Sequence, residues 1–136
     1  MNGGAPAREG VHLGFEYQAP LLTVRLEGEV SPQAILEVTR TYWMRMAEEV
    51  AVRRASQLLV LDMLPGEVMD DDDLVRFFDN VAGLGLQAVK IAYVEGRADQ
   101  VSRIEYAEQL ALERGYRVRV FGNESDARLW LRYGGG

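Results

Sequence analysis

Apolar and polar residues alternate from Val11 onward. Val11, Leu13, Phe15 and Tyr17 fall on one side and His12, Gly14, Glu16 and Gln18 on the other, the period of a strand with one wet face. After a turn at Gln18-Ala19-Pro20 the same period returns, Leu22, Val24 and Leu26 against Thr23, Arg25 and Glu27. The two strands most simply pair as an antiparallel hairpin. The period then lengthens. Ser31-Pro32 marks a helix start, with the hydroxyl expected to cap free backbone N–H groups and the proline in the first helical position. From there to about Ala55, residues Ile35, Leu36, Val38, Tyr42, Trp43, Met46, Ala47 and Val50 share one arc of a helical wheel, opposite Gln33, Glu37, Arg40 and Glu48. Such a helix is roughly 36 Å long against about 23 Å for a seven-residue strand, so part of it must overhang the sheet or break.

Leu58 to Leu64 is the apolar run that does not alternate, which implies a central strand covered on both faces. Pro65-Gly66 turns the chain, and Asp70 to Asp73 open a second helix whose stripe is Leu74, Val75, Phe77, Phe78, Val81 and Ala82, ending near Gly83-Leu84-Gly85. A strand at Val89 to Val94 follows, then a third helix from about Asp99 to Arg114 with Val101, Ile104, Ala107 and Ala111 inward. A last strand carries Tyr116, Val118 and Val120. Asn123 caps a short fourth helix bearing Ala127, Trp130 and Leu131, with Asp126 placed as in a capping box. The order ββαβαβαβα describes a single α/β domain over residues 11–133, built on a mixed sheet of about five strands. Four of those strands show a polar face, so the helices are expected mainly on one side. Residues 1–10 read as a disordered leader and 134–136 as a flexible tail.

Composition narrows the function more than the fold. The 136 residues suit one domain. A formal net charge of -6 without a Lys/Arg cluster argues against non-specific nucleic-acid or anionic-membrane binding. The absence of cysteine removes disulfides, thiolate metal sites and cysteine nucleophiles. Without a hydrophobic leader or a membrane-length apolar run, the expected location is cytoplasmic.

Function in open α/β sheets gathers where strands end and helices begin, which points to the loop from Asp62 to Asp73. Within it, Leu59-Val60-Leu61-Asp62-Met63-Leu64-Pro65-Gly66 resembles the phosphoacceptor segment of receiver domains. The likeness is local: the acidic pair after the first strand and the lysine after the last are absent, and Lys90 lies inside a strand. Asp70, Asp71, Asp72 and Asp73 fan out by about 100° per residue on a helix, so they read as a solvated cap, not a metal site. No metal or cofactor is expected. His12, the sole histidine, sits on a wet strand face, and no nucleophile–base pair is placed by sequence, so the chain is not expected to be an enzyme. Trp43, Met44, Tyr106 and Leu110 are surplus hydrophobics, the first places to look for an exposed patch.

The element order, with the closing segment Val120-Phe121-Gly122-Asn123-Glu124-Ser125-Asp126-Ala127-Arg128-Leu129-Trp130-Leu131, resembles the STAS-like superfamily, the anti-sigma-factor-antagonist fold, in its uncharacterised bacterial branch. The resemblance spans about Val11 to Leu131. It implies a mixed sheet with helices largely on one face and a regulatory or protein-interaction role, with a protein partner of unknown identity and a homodimer left open. The candidate partner surface is Asp62, Pro65, Gly66, Glu67, Asp70, Asp71, Asp72 and Asp73. The family's best-known device, a serine at the start of the helix after the central strand that a partner kinase phosphorylates, has no counterpart: no Ser or Thr occurs between Ser56 and Ser102. A second expectation, from the aromatic excess around one core, is a small apolar ligand or lipid bound among Tyr42, Trp43, Met46, Phe77 and Phe78.

Overall fold

The computed structural model describes residues 10–134. Strands β1 (Gly10–Gln18) and β2 (Leu21–Glu29) form the hairpin, with Leu13 opposite Leu26 and Phe15 opposite Val24. After a 3-10 turn at Pro32–Ala34 come α1 (Ile35–Arg53), β3 (Gln57–Asp62), α2 (Asp71–Val81), β4 (Lys90–Glu95), α3 (Val101–Glu113), β5 (Arg117–Phe121) and α4 (Glu124–Tyr133). The sheet keeps chain order, β1-β2-β3-β4-β5, and every pair after the hairpin is parallel. Parallel pairing in this register sets Asp62 beside Glu95 at the carboxyl ends of the two central strands.

The apolar run of β3 is buried on both sides. Leu58 and Val60 face the core shared with α1, α2 and α3, while Leu59 and Leu61 pack with Ala92 and Val94 against Ala127 and Leu131 of α4. Leu58, Leu59, Val60 and Leu61 are each 3% exposed or less, so each contributes about 1.5–3 kcal/mol of burial. Three helices therefore cover one face and the fourth covers the other.

Four expectations need correction. The Ser31 side chain makes no capping bond; its carbonyl instead accepts from the Ala34 N–H at 3.0 Å, closing the 3-10 turn on which Pro32 sits. The helix itself runs unbroken from Ile35 to Arg53, and left-handed Arg54 closes its end. Leu110 is buried rather than surplus, because α3 packs against both β5 and α2 and so needs an apolar arc wide enough to include Leu110 and Ala111 together. Trp43 is half-buried between Phe77 and Tyr93, with ring centroids 6.2 and 6.3 Å away, whereas Met44 and Tyr106 are exposed.

The fourth correction concerns the wet face assigned to most strands. All six residues of β4 are buried, Lys90 included. Its Nζ donates to the carbonyls of Trp130, Leu131 and Gly134 at 3.0, 3.3 and 2.8 Å and lies 4.7 Å from the Trp130 ring centroid. Gln57 adds a bond from Nε2 to the Leu131 carbonyl at 2.9 Å. A cation and an amide thus satisfy the carbonyls that end α4, the end of a helix where positive charge is favourable. Of the expected leader and tail, residues 1–9 and 135–136 lie outside the described residues.

Candidate functional site

The carboxyl ends of β3 and β4 meet in a buried polar cluster. Asp62 and Glu95 are each 1% exposed. Asp62 Oδ1 accepts from the Leu64 N–H at 2.9 Å, and its Oδ2 accepts from the Tyr93 hydroxyl and, at 3.3 Å, from Arg97 Nη2. Arg97 also donates to both Glu95 oxygens, Nε to Oε2 at 2.6 Å and Nη2 to Oε1 at 2.9 Å. Gly96 lets the two strand ends come this close. Its N–H donates to the Asp62 carbonyl at 3.2 Å, and a Cβ there would stand 3.0 Å from the same oxygen.

One guanidinium serves two buried carboxylates. Burial pushes the Asp62 carboxyl above its ordinary value and the nearby Glu95 adds to that, while bonds from Tyr93 and the Leu64 N–H pull the other way. Burial, then the Asp62 charge, also raise the Tyr42 and Tyr93 phenols, which stay neutral. Burial alone would lower the Arg97 pKa; the Glu95 hydrogen bond and the Asp62 charge outweigh it and hold the guanidinium charged.

The same arginine fixes the loop between β3 and α2. Residues 63–70 contain no helix or strand, so their backbone groups need partners from elsewhere. Arg97 Nη1 donates to the carbonyls of Pro65 and Gly66 at 3.1 and 2.7 Å, Gln100 Oε1 accepts from the Val68 N–H at 2.8 Å, and Arg103 Nη2 donates to the Met69 carbonyl at 2.8 Å. Asp70 ends the loop as the N-cap of α2, accepting from the Asp73 N–H at 2.9 Å. Pro65, Gly66, Glu67, Asp70, Asp71 and Asp72 are exposed on this crest. Asp73 is half-buried and paired with Arg76 at 3.2 Å; Asp71 pairs with Arg103 at 3.1 Å. Asp62 does not share that surface: desolvated and turned inward, it anchors the loop from below. Among the described residues no three His, Cys, Asp or Glu side chains come together as a metal site.

Beneath the loop lies a largely apolar cavity of about 120 Å³. Tyr42, Trp43, Phe77 and Phe78 line it, with Thr39, Asp62, Tyr93 and Arg97 at its polar end. Met46, grouped with those aromatics on the sequence, is fully buried in the core and is not part of the lining. Tyr93, Glu95, Arg97, Gln100 and Arg103 did not figure among the residues singled out from the sequence. The strand-end argument that selects Asp62 on β3 selects Tyr93, Glu95 and Arg97 equally well when applied to β4.

No family model matches the sequence, and no curated protein does. Two solved structures match the fold over nearly the whole chain. An anti-sigma factor antagonist from Mycobacterium paratuberculosis is 15% identical with a TM-score of 0.60, covering 95% of this chain and 100% of its own. An uncharacterised protein with a SpoIIAA-like fold from Shewanella loihica is 14% identical with a TM-score of 0.52, covering 95% of this chain and 99% of its own. The chain therefore has the STAS-like, or SpoIIAA-like, fold: an α/β unit on a five-stranded mixed sheet.

Proposed function

We propose that this STAS-like domain is a non-catalytic regulatory module that binds a protein partner through the crest formed by Pro65, Gly66, Glu67 and the start of α2. The observation that carries the reading is the way the loop is held. A segment of eight residues without regular structure is tied at four points to Arg97, Gln100 and Arg103. Ordering such a loop in advance removes an entropic cost that binding would otherwise bear. What it presents is acidic, through Glu67, Asp70, Asp71 and Asp72, so the fitting partner carries a basic patch. A solved structure with this fold is an anti-sigma factor antagonist, a protein whose counterpart is another protein, which agrees with this reading.

A hydroxyl-phosphorylation switch does not belong to the proposal. Asp70 occupies the cap of α2, and the loop offers no Ser or Thr. Affinity capture with the tagged chain tests the proposal. A specific partner should be retained by the native protein and lost by the Asp70→Asn, Asp71→Asn, Asp72→Asn triple variant. Capture of nothing specific, or retention by the triple variant, refutes this surface.

A further inference from the structure

The cavity under the crest has two unlike ends. Its walls are mainly aromatic and aliphatic, contributed by α1, α2 and α3, with Glu108 of α3 among them, while its polar end carries Asp62, Tyr93 and Arg97 together with Thr39 and Tyr42 of α1. Pro65 and Glu67, both exposed, border it on the loop side, so the space adjoins solvent next to the crest. Water alone suits it poorly, since a buried water needs two to four polar partners and most of the lining is apolar.

We propose that this cavity binds a small neutral molecule, about one substituted aromatic ring in size, whose single hydroxyl or N–H donates to Asp62 beside Tyr42. The volume sets the size: about 120 Å³ is somewhat less than an apolar cavity of about 150 Å³ that accepts benzene, so one ring is the upper limit and its substituents must reach to Asp62 at one end and to the opening beside Pro65 and Glu67 at the other. The charge count sets the head group. Arg97 lines the polar end too, but its guanidinium is already engaged by Asp62, Glu95 and the Pro65 and Gly66 carbonyls, so two carboxylates against one cation leave that end net negative and disfavour an anion. A carboxylate-bearing fatty acid is therefore the wrong ligand, and a phenol, indole or aryl alcohol the right one. Tyr42 completes the site. Thr39, one turn earlier, lines the same end, and a phenol oxygen that both donates and accepts has capacity for a ligand. Pro65 and Glu67 border both the crest and the cavity, but the ligand contacts proposed lie below the loop, on Asp62, Tyr42 and the aromatic walls, and do not depend on a partner.

Three probes of one shape separate the contributions: p-cresol, toluene and 4-methylbenzoate, titrated into the full chain. Binding is followed by the indole N–H resonances of Trp43, which lines the cavity, and Trp130, which packs on the opposite face of the sheet. The expected result is a saturable shift of Trp43 with p-cresol while Trp130 stays still, about tenfold weaker binding of toluene, and none of 4-methylbenzoate. Tyr42→Phe should weaken p-cresol and leave toluene unchanged; Ala107→Leu, which fills the cavity, should abolish both. No saturable shift with p-cresol overturns the proposal, as does equal affinity for toluene or a preference for the carboxylate. The titrations of the native protein separate these outcomes even if Ala107→Leu does not fold.

Discussion

Replacing Arg97 by methionine keeps most of the side chain's length and removes its charge, a direct test of what holds the crest together. The arginine side chain is 16% exposed and the carboxylates it serves are almost completely buried, 2% for Asp62 and 0% for Glu95. Arg97→Met leaves both without a cation and frees the carbonyls of Pro65 and Gly66. Removing one partner of a buried ion pair costs about 3–5 kcal/mol. Partial exposure of Arg97 and water reaching the freed carbonyls favour the lower end, about 3 kcal/mol at pH 7. That is a large share of the roughly 5–15 kcal/mol that holds a domain folded. Urea unfolding at pH 7 and pH 5 is the assay. The Asp62 pKa is already raised by burial and by Glu95, and Arg97 is one of the groups holding it down. Without the arginine the carboxyl takes up a proton more readily, so the loss should be smaller at pH 5 than at pH 7. Adding Glu95→Gln, which removes one of the two stranded charges, should recover part of it. A loss below about 1 kcal/mol at pH 7, or one that does not depend on pH, would refute the claim that Arg97 neutralises this cluster.

Tyr93→Phe removes the hydroxyl that donates to Asp62 Oδ2 and should cost about 1–3 kcal/mol in urea unfolding; a loss under about 0.5 kcal/mol contradicts that bond. Because Asp62 binds its proton more tightly folded than unfolded, stability should fall as pH rises from the unfolded value of 3.8 through the higher folded value, and Asp62→Asn should lack that slope. Lys90→Met strips the donor from three carbonyls at the end of α4 and should cost about 1–3 kcal/mol. Hydrogen exchange should then show α4 amides losing protection before those of β3; uniform loss would mean that Lys90 does not act as a local latch.

Legibility in the sequence followed the range of the interactions. The alternation of β1 and β2, the unbroken run of β3, the aspartate cap of α2 and the Asn123–Asp126 box of α4 rest on neighbours a few residues away, and each is visible as a pattern. Lys90 read as one polar residue on a strand because its partners lie forty or more residues later, at the end of a helix whose side of the sheet no periodicity reveals. The expected cap at Ser31 failed for a local reason: the 3-10 turn closes through the Ser31 carbonyl, without a bond from the hydroxyl. The polar cluster exists only because parallel pairing sets Asp62 beside Glu95 and brings Arg97 around the end of β4, and neither register nor strand order can be read from alternation. Tyr42, Trp43, Phe77 and Phe78 were recognisable as an aromatic excess, whereas the space between them depends on how α1, α2 and α3 seat on the sheet.

Photo-crosslinking in living cells tests the proposed interface most directly. A benzophenone amino acid placed at Glu67 or Asp72 on the crest, and at Glu16 on the exposed face of β1 as a control, reports which surface a partner touches. One discrete adduct is expected from Glu67 and Asp72, none from Glu16, and loss of the crest adducts when Arg97→Met releases the loop. No adduct from the crest, or the same adduct from Glu16, would contradict the proposed interface.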